Sequence, residues 1–211
     1  MFTIAQAPSA PLLVVISAPS GGGTTTLCQL LLQTSPDLER AITCTTRAPR
    51  AGERNGVDYH FLDAAAFQRQ VEAGEFLEHA TVHGNRYGTR KREVLDRLDR
   101  GRDVLLNIDV QGAAAVRAQA AADPVVRAAL ISLFLTPPSM QILEKRLRGR
   151  GTDAEAVIQQ RLAAARSELE HWRQFDYLIL SASPEEDVRR TQAILLVEKL
   201  RSKRVGTGEK G

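Results

Sequence analysis

Residues 12–34 read LLVVISAPSGGGTTTLCQLLLQT. Leu12–Ser17 is a continuous apolar run of strand length, and the stretch from about Thr25 to Thr34 reads as a helix. Between them lies a turn built on three consecutive glycines. A strand feeding a glycine-rich turn and then a helix is the setting of a phosphate-binding loop. Such a loop turns successive backbone N–H groups toward phosphate oxygens at a helix N-terminus, whose dipole favours anions. Gly21, Gly22 and Gly23 supply the permissive backbone, and Ser20, Thr24, Thr25 and Thr26 complete the candidate cradle.

Two positions depart from the pattern G-x-x-x-x-G-K-[ST]. Ala18 stands for the first glycine; the residue before Pro19 is held in the extended region, which alanine accepts. Thr24 stands for the lysine, the group that brings a full positive charge to the β- and γ-phosphates. Thr25 keeps the hydroxyl that would ligate Mg²⁺. Alone, the loop reads equally well as a strand-to-helix turn with no ligand.

Outward from the loop, apolar runs recur at DVLLNID (Asp103–Asp109), ALISLFL (Ala129–Leu135) and FDYLILSA (Phe175–Ala182). Helical segments alternate with them: Gln111–Ala121, a helix beginning at Pro138, and a long one from Pro184 to about Lys203. This rhythm predicts an α/β fold, a parallel sheet flanked by helices on both faces. Asn107 and Asp109, two apart at a strand end, are expected to point together toward the sheet's C-terminal edge, where ligands bind. The stretch Ala41–Thr89 breaks the rhythm with shorter, more polar strands (RAITCTT, EFLEHATV) and turn signals at Asn55-Gly56 and Gly84-Asn85. It reads as a small inserted lobe. GRGTD (Gly149–Asp153) is a candidate flap, with Asp153 placed to cap the next helix.

The chain has 211 residues, 43% of them hydrophobic and 25% charged, which suits one globular body with a mobile accessory lobe. A net charge of +3 fits an anionic substrate but is too weak to argue for nucleic acid. No apolar run spans a bilayer and the N-terminus lacks a basic signal region, so no membrane partner is expected. Cys28 and Cys44 read as core residues in a reducing compartment, by default the cytoplasm. The four histidines show no metal spacing.

The most specific stretch is TCTTRAPRAGERNGVDYHF (Thr43–Phe61). With E-F-x-E at Glu75–Glu78, G-N-x-Y-G-T at Gly84–Thr89, I-D-V-Q-G-A at Ile108–Ala113 and R-L-x-G-R-G-T at Arg146–Thr152, it resembles the guanylate kinase family from the phosphate loop to the last helix. The resemblance implies a P-loop NTPase-type core (residues 11–40, 90–136 and 172–204), a mixed α/β GMP-binding lobe (41–89), a helical lid (137–171) and a disordered tail (205–211). It implies that Arg47, Arg50, Tyr59 and Tyr87 hold the GMP phosphate, while Glu78, Thr43 and Thr89 face the guanine. Guanidinium forks suit phosphate, and a carboxylate reads the guanine N1–H and 2-amino donors that adenine lacks. Asp109 would face GMP and the Mg²⁺ shell, where Asn107 replaces a second family aspartate. Arg146, Arg150 and Arg161 match catalytic lid arginines. Near Ser181–Pro184 the chain lacks the family's Asn-Asp segment beside adenine.

The implied reaction is phosphoryl transfer from ATP to GMP, giving ADP and GDP, with Mg²⁺ as cofactor and ATP and GMP as partners; a homodimer is compatible with it. The rival is a guanylate-kinase-like scaffold domain without catalysis, for which Thr24 is the best sign; a kinase for another base is disfavoured by Glu78. To replace the missing ammonium, the first expectation is K⁺ held by loop carbonyls and threonine hydroxyls near Gly22–Thr25, with Thr24 among its ligands. The second is a side chain, Arg150, Arg161 or Lys91.

Overall fold

A computed structural model describes residues 9–82, 84–149 and 154–205. In chain order the elements begin β1 (Leu13–Ser17), α1 (Thr24–Thr34), β2 (Leu38–Arg40), β3 (Cys44–Thr45), β4 (His60–Phe61) and α2 (Ala64–Glu72). There follow β5 (Phe76–Val82), β6 (Asn85–Arg90), α3 (Lys91–Asp99), β7 (Asp103–Asn107), α4 (Val110–Ala122) and α5 (Pro124–Ala129). The last are β8 (Leu130–Thr136), α6 (Met140–Arg148), α7 (Glu155–Leu169), β9 (Tyr177–Leu180) and α8 (Pro184–Lys199).

Five strands form a parallel sheet in the order β2-β7-β1-β8-β9, with β1 at its centre. The continuous apolar run of β1 is explained by burial on both faces. Leu13 and Val15 pack with Val94 of α3 and Val110, Ala113 and Val116 of α4. Val14 and Ile16 pack the other way, against Leu27 and Leu31 of α1 and Leu195 of α8. Alternation of side chains along a strand thus serves two cores at once. Burying each of these side chains stabilises the fold by roughly 1.5–3 kcal/mol.

The inserted lobe is a second sheet, β4-β3-β6-β5, with β3–β4 parallel and the remaining pairs antiparallel. Its small core is Cys44, Phe67 and Phe76, the two rings stacked at 4.6 Å. The segment expected as a lid is a helix pair, α6 and α7, closed by Leu143, Leu147, Ile158, Leu162 and Ala165.

Several boundaries differ from the sequence reading. The strand expected over Asp103–Asp109 stops at Asn107, because Asp109 leaves it to cap α4, accepting from Gly112 N at 2.8 Å. Ala129 ends a short unforeseen helix, α5, rather than opening a strand; Asp123 caps α5 and Pro124 starts it. The lid helix opens at Met140, not Pro138, since Ser139 supplies the cap to Ile142 N. The last helix ends at Lys199, and a single 3₁₀ turn over Ser202–Arg204 follows. Val205 is not free tail: it bridges Ser9 antiparallel. The flap residues Arg150–Asp153, including the expected Asp153 cap, lie outside the described residues, as does the tail from 206 onward.

Candidate active site

The C-terminal ends of β1 and β7 open onto a cleft of about 480 Å³, bounded by the phosphate loop on one side and the inserted lobe on the other. Gly21 and Gly23 adopt positive φ (+85° and +104°), a region that strains L side chains. The loop turns back through Gly22 N, which donates to Pro19 O at 2.7 Å. A Cβ at residue 22 would lie 2.6 Å from the Ala18 methyl, so the Ala18 departure confines a position the motif leaves open to glycine. No side chain caps α1, which leaves its first N–H groups to an anion. Ser20, Gly21, Gly22, Gly23, Thr24, Thr25 and Thr26 all line the cleft, as the loop reading requires.

On the lobe side, Arg47 Nη2 donates to both oxygens of Glu53 at 2.8 and 3.0 Å. That bond, with the Tyr87 hydroxyl beside it, holds Arg47 firmly protonated and draws Glu53 below its ordinary carboxylate range. The Arg47 guanidinium lies 5.4 Å from the Tyr59 ring centroid, and the Tyr59 and Tyr87 rings meet edge-on at 6.2 Å. Arg50 is exposed on the following loop, its backbone N–H bound to Glu53 Oε2 at 2.7 Å. Arg47, Arg50, Tyr59 and Tyr87 therefore converge on one end of the lobe wall.

Deeper in the cleft, Glu78 is only 4% exposed. Burial pushes its pKa up to about 7; nearby Thr89 opposes the shift, and the charge of Asp109 adds to it. Thr89 is Glu78's partner across the β5–β6 ladder, yet neither Glu78 Oε1 nor Thr89 Oγ1 completes a hydrogen bond of good geometry. The carboxylate reaches this position because residue 112 has no side chain. A Cβ there would stand 2.9 Å from Glu78 Oε2 and 3.3 Å from Asp109 Oδ1. Thr43 lies on the same lobe wall. A buried acceptor oxygen without a partner thus marks one wall of the cleft, and the glycine-rich loop with its uncapped helix N-terminus marks the other.

A family model described as guanylate kinase matches residues 11–198. The guanylate kinase of Paramagnetospirillum magneticum is 43% identical over 193 residues, which cover 92% of this chain and 87% of that protein. That of Nitrosomonas europaea is 45% identical over 190 residues, 90% of this chain and 91% of the relative. The crystal structure of guanylate kinase from Anaplasma phagocytophilum matches with a TM-score of 0.75 at 34% identity, covering 94% of this chain and 92% of that one. This chain belongs to the guanylate kinase family.

The helix pair α6–α7, expected from the sequence to be a lid, touches the glycine-rich loop through three side chains. Arg161 Nε donates to Ser20 Oγ at 3.1 Å, and Glu168 Oε2 accepts from Ser20 N at 2.7 Å. The two lie seven residues apart on one face of α7. Arg146 of α6 touches the loop's other side, with Nη1 3.4 Å from Gly22 O. Arg150 lies outside the described residues. Lys91 opens α3, its N–H on Glu75 O, and is not part of the cleft lining.

Asp109 and Asn107 both line the cleft, but not as strand neighbours sharing a face: Asn107 ends β7 and Asp109 points in as the α4 cap. Thr89 and Arg146 border the cleft without lining it. Two acids escaped the sequence reading. Glu53 sat in the R-x-G-E pattern, and that spacing from Arg47 was its signal. Glu168 had none, because a lone acid on a charged helix reads as a solvated face.

Proposed function

We propose that the chain transfers the γ-phosphoryl group of ATP to GMP, giving ADP and GDP. The observation that carries this reading is Glu78: a buried carboxylate oxygen with no partner, facing the cleft across from the phosphate loop. It accepts the guanine N1–H and 2-amino donors, with Thr43 and Thr89 hydroxyls beside it. Arg47, Arg50, Tyr59 and Tyr87 hold the GMP phosphate, which is already ionised and needs no general base. The loop amides of Ser20–Thr26 hold the ATP phosphates. Arg146, Arg150 and Arg161 bring positive charge from the lid, and catalysis is positioning plus charge neutralisation. Closing lobe and lid excludes water and so suppresses ATP hydrolysis.

Among the described residues no cluster of three or more acids, histidines or cysteines is placed to cage a metal. Mg²⁺ keeps waters and substrate oxygens and takes only one or two protein ligands, so it would need no such cage. The Thr25 hydroxyl and the Asp109 carboxylate, both hard oxygen donors in the cleft lining, fit that role. The ion supplies neutralisation of the phosphate charge. A K⁺ near Thr24 would share loop carbonyls that each already take one bond and keep a second lone pair: Gly22 O faces Arg146, and Gly23 O accepts from Leu27 N at 3.2 Å. Equal rates in K⁺, Na⁺ and large organic cations would exclude it.

We place the reaction in a reducing cytoplasm, which suits two buried free thiols, and need neither nucleic acid nor membrane for it. No helix among the described residues is long and apolar enough to cross a membrane. The scaffold reading gives no role to a Glu78 left unpaired in the interior. The deciding experiment is a coupled assay of ADP formation from ATP with GMP, with AMP, and with no acceptor. GMP-dependent ADP is the expected result; its absence at every ATP concentration would transfer the assignment to the scaffold.

A further inference from the structure

The phosphate loop lacks its lysine, and the charges around it do not obviously compensate. Acidic side chains in the cleft lining (Glu53, Glu78, Asp109, Glu168) outnumber the arginines there (Arg47, Arg50, Arg161). Arg47 is paired with Glu53, and Arg161 shares Ser20 with the carboxylate of Glu168. Arg146 differs. Its side-chain bonds go to neutral oxygens, Gly22 O at 3.4 Å and Ser181 Oγ at 3.1 Å. Among the described residues it forms no direct pair with a carboxylate. A Cβ built on Gly23 would stand 3.8 Å from Arg146 Nη1, so the guanidinium sits against the residue immediately before Thr24.

What holds it there is a buried relay. Ser181 Oγ accepts from Arg146 and donates to Asp187 Oδ2 at 2.7 Å. The other Asp187 oxygen accepts from Ala182 N at 3.0 Å. Ser181 and Asp187 are 7% and 5% exposed, so the relay is shielded from water. A carboxylate directly on Arg146 would cancel the charge that the loop lacks. A hydroxyl interposed between them orients the guanidinium and leaves most of its charge toward Gly22 and Gly23.

Resting on the reading of the chain as an ATP:GMP phosphotransferase, we infer that Ser181 and Asp187 are positioning residues that hold Arg146 against the phosphate loop, where it supplies the fixed positive charge that Thr24 does not. A purely structural alternative exists, in which Ser181 and Asp187 only tie the end of β9 to the start of α8. The two make different kinetic predictions.

The test measures GMP-dependent ADP formation, varying ATP at saturating GMP and GMP at saturating ATP, alongside thermal melting. Parent activity checks the underlying reading; without it, that reading fails before this inference is reached. Ser181→Ala is expected to lower kcat/KM for ATP about tenfold with KM for GMP unchanged, and Ser181→Thr, which keeps the hydroxyl, to stay near parent. Asp187→Asn should fall between them. Arg146→Ala should cost on the order of 10²-fold. Adding Thr24→Lys should recover most of the loss in both Ser181→Ala and Arg146→Ala, because the ammonium then fills the charge role directly. A Ser181→Ala enzyme with parent ATP efficiency, whatever its melting temperature, overturns the inference. So does a Thr24→Lys that is active alone yet recovers nothing in either background. If Thr24→Lys is itself inactive, the Ser181→Ala and Ser181→Thr pair decides.

Discussion

At the residue scale, the guanine-reading role proposed for Glu78 would serve recognition at the expense of stability. Its carboxylate is buried and incompletely hydrogen-bonded, and burial pushes its pKa up to about 7. Only the ionised form can accept both guanine donors, so kcat/KM for GMP should fall as pH drops below about 7, approaching tenfold per unit. Glu78→Gln should flatten that limb while lowering kcat/KM for GMP by roughly 10²-fold or more. The stability sign is opposite to that of a paired carboxylate. The fold disfavours the charged form, so stability present in the ordinary carboxylate range is lost as pH rises toward 7. Glu78→Gln should therefore raise the melting temperature more at pH 8 than at pH 5. An equal shift at both values would mean that the carboxylate is not strained by burial.

At the element scale, two helices set the geometry of the site by what they lack or carry at one position. Helix α4 approaches Glu78 at Gly112, where a methyl would stand 2.9 Å from Oε2. Gly112→Ala should raise KM for GMP by about tenfold or more through displacement of that carboxylate, an overpacking cost of the 1–3 kcal/mol kind. KM for ATP should hold; a parallel rise in both would point to a general distortion of α4. Helix α7 grips Ser20 from both sides through Arg161 and Glu168. Glu168→Gln keeps an acceptor but loses the charge that strengthens the bond, so kcat/KM for ATP should fall about three- to tenfold with GMP affinity intact. This clamp also marks where sequence reasoning stops. The apolar runs of β1, β7 and β8 were legible because both faces of each strand are buried. Strand β3 was legible only within a longer expected run, RAITCTT, and β4 not at all, since each is two residues held by ladder bonds within polar sequence. Helix α5 was hidden beside a strand of similar composition. Glu78, Arg47 and Tyr59 could be found through closely spaced motifs. Glu168 with Ser20, and Arg146 with Ser181, are pairings across 148 and 35 residues that only the fold creates.

At the scale of the whole molecule, the proposed closure would require the lobe to stay joined to the core yet move. The chain enters the lobe near Ile42 and leaves it at β6, which runs directly into α3. Glu93 of α3 stands at this junction. It accepts from Ile42 N at 3.2 Å, pairs with Arg97 at 2.8 Å and meets His60 Nε2 at 3.4 Å. One carboxylate thus ties the entering chain, a lobe strand and the core helix together. Burial works against its ionised form, but the Ile42 amide and the charges of Arg97 and His60 prevail and hold its pKa below the ordinary value. The junction should therefore persist through neutral pH and weaken only as pH falls below the usual carboxylate range. Removing it tests the hinge directly. Glu93→Ala should lower amide hydrogen-exchange protection in β3, β4 and β6 while leaving β1, β7 and β8 as protected as in the parent, because the lobe has a small core of its own; β5 is shared, since its Leu77 packs into the large core. KM for GMP should rise several-fold and KM for ATP little, since the GMP contacts lie on the body set loose. Uniform loss of protection across both sheets would instead make Glu93 part of the global fold and leave the hinge to be sought elsewhere.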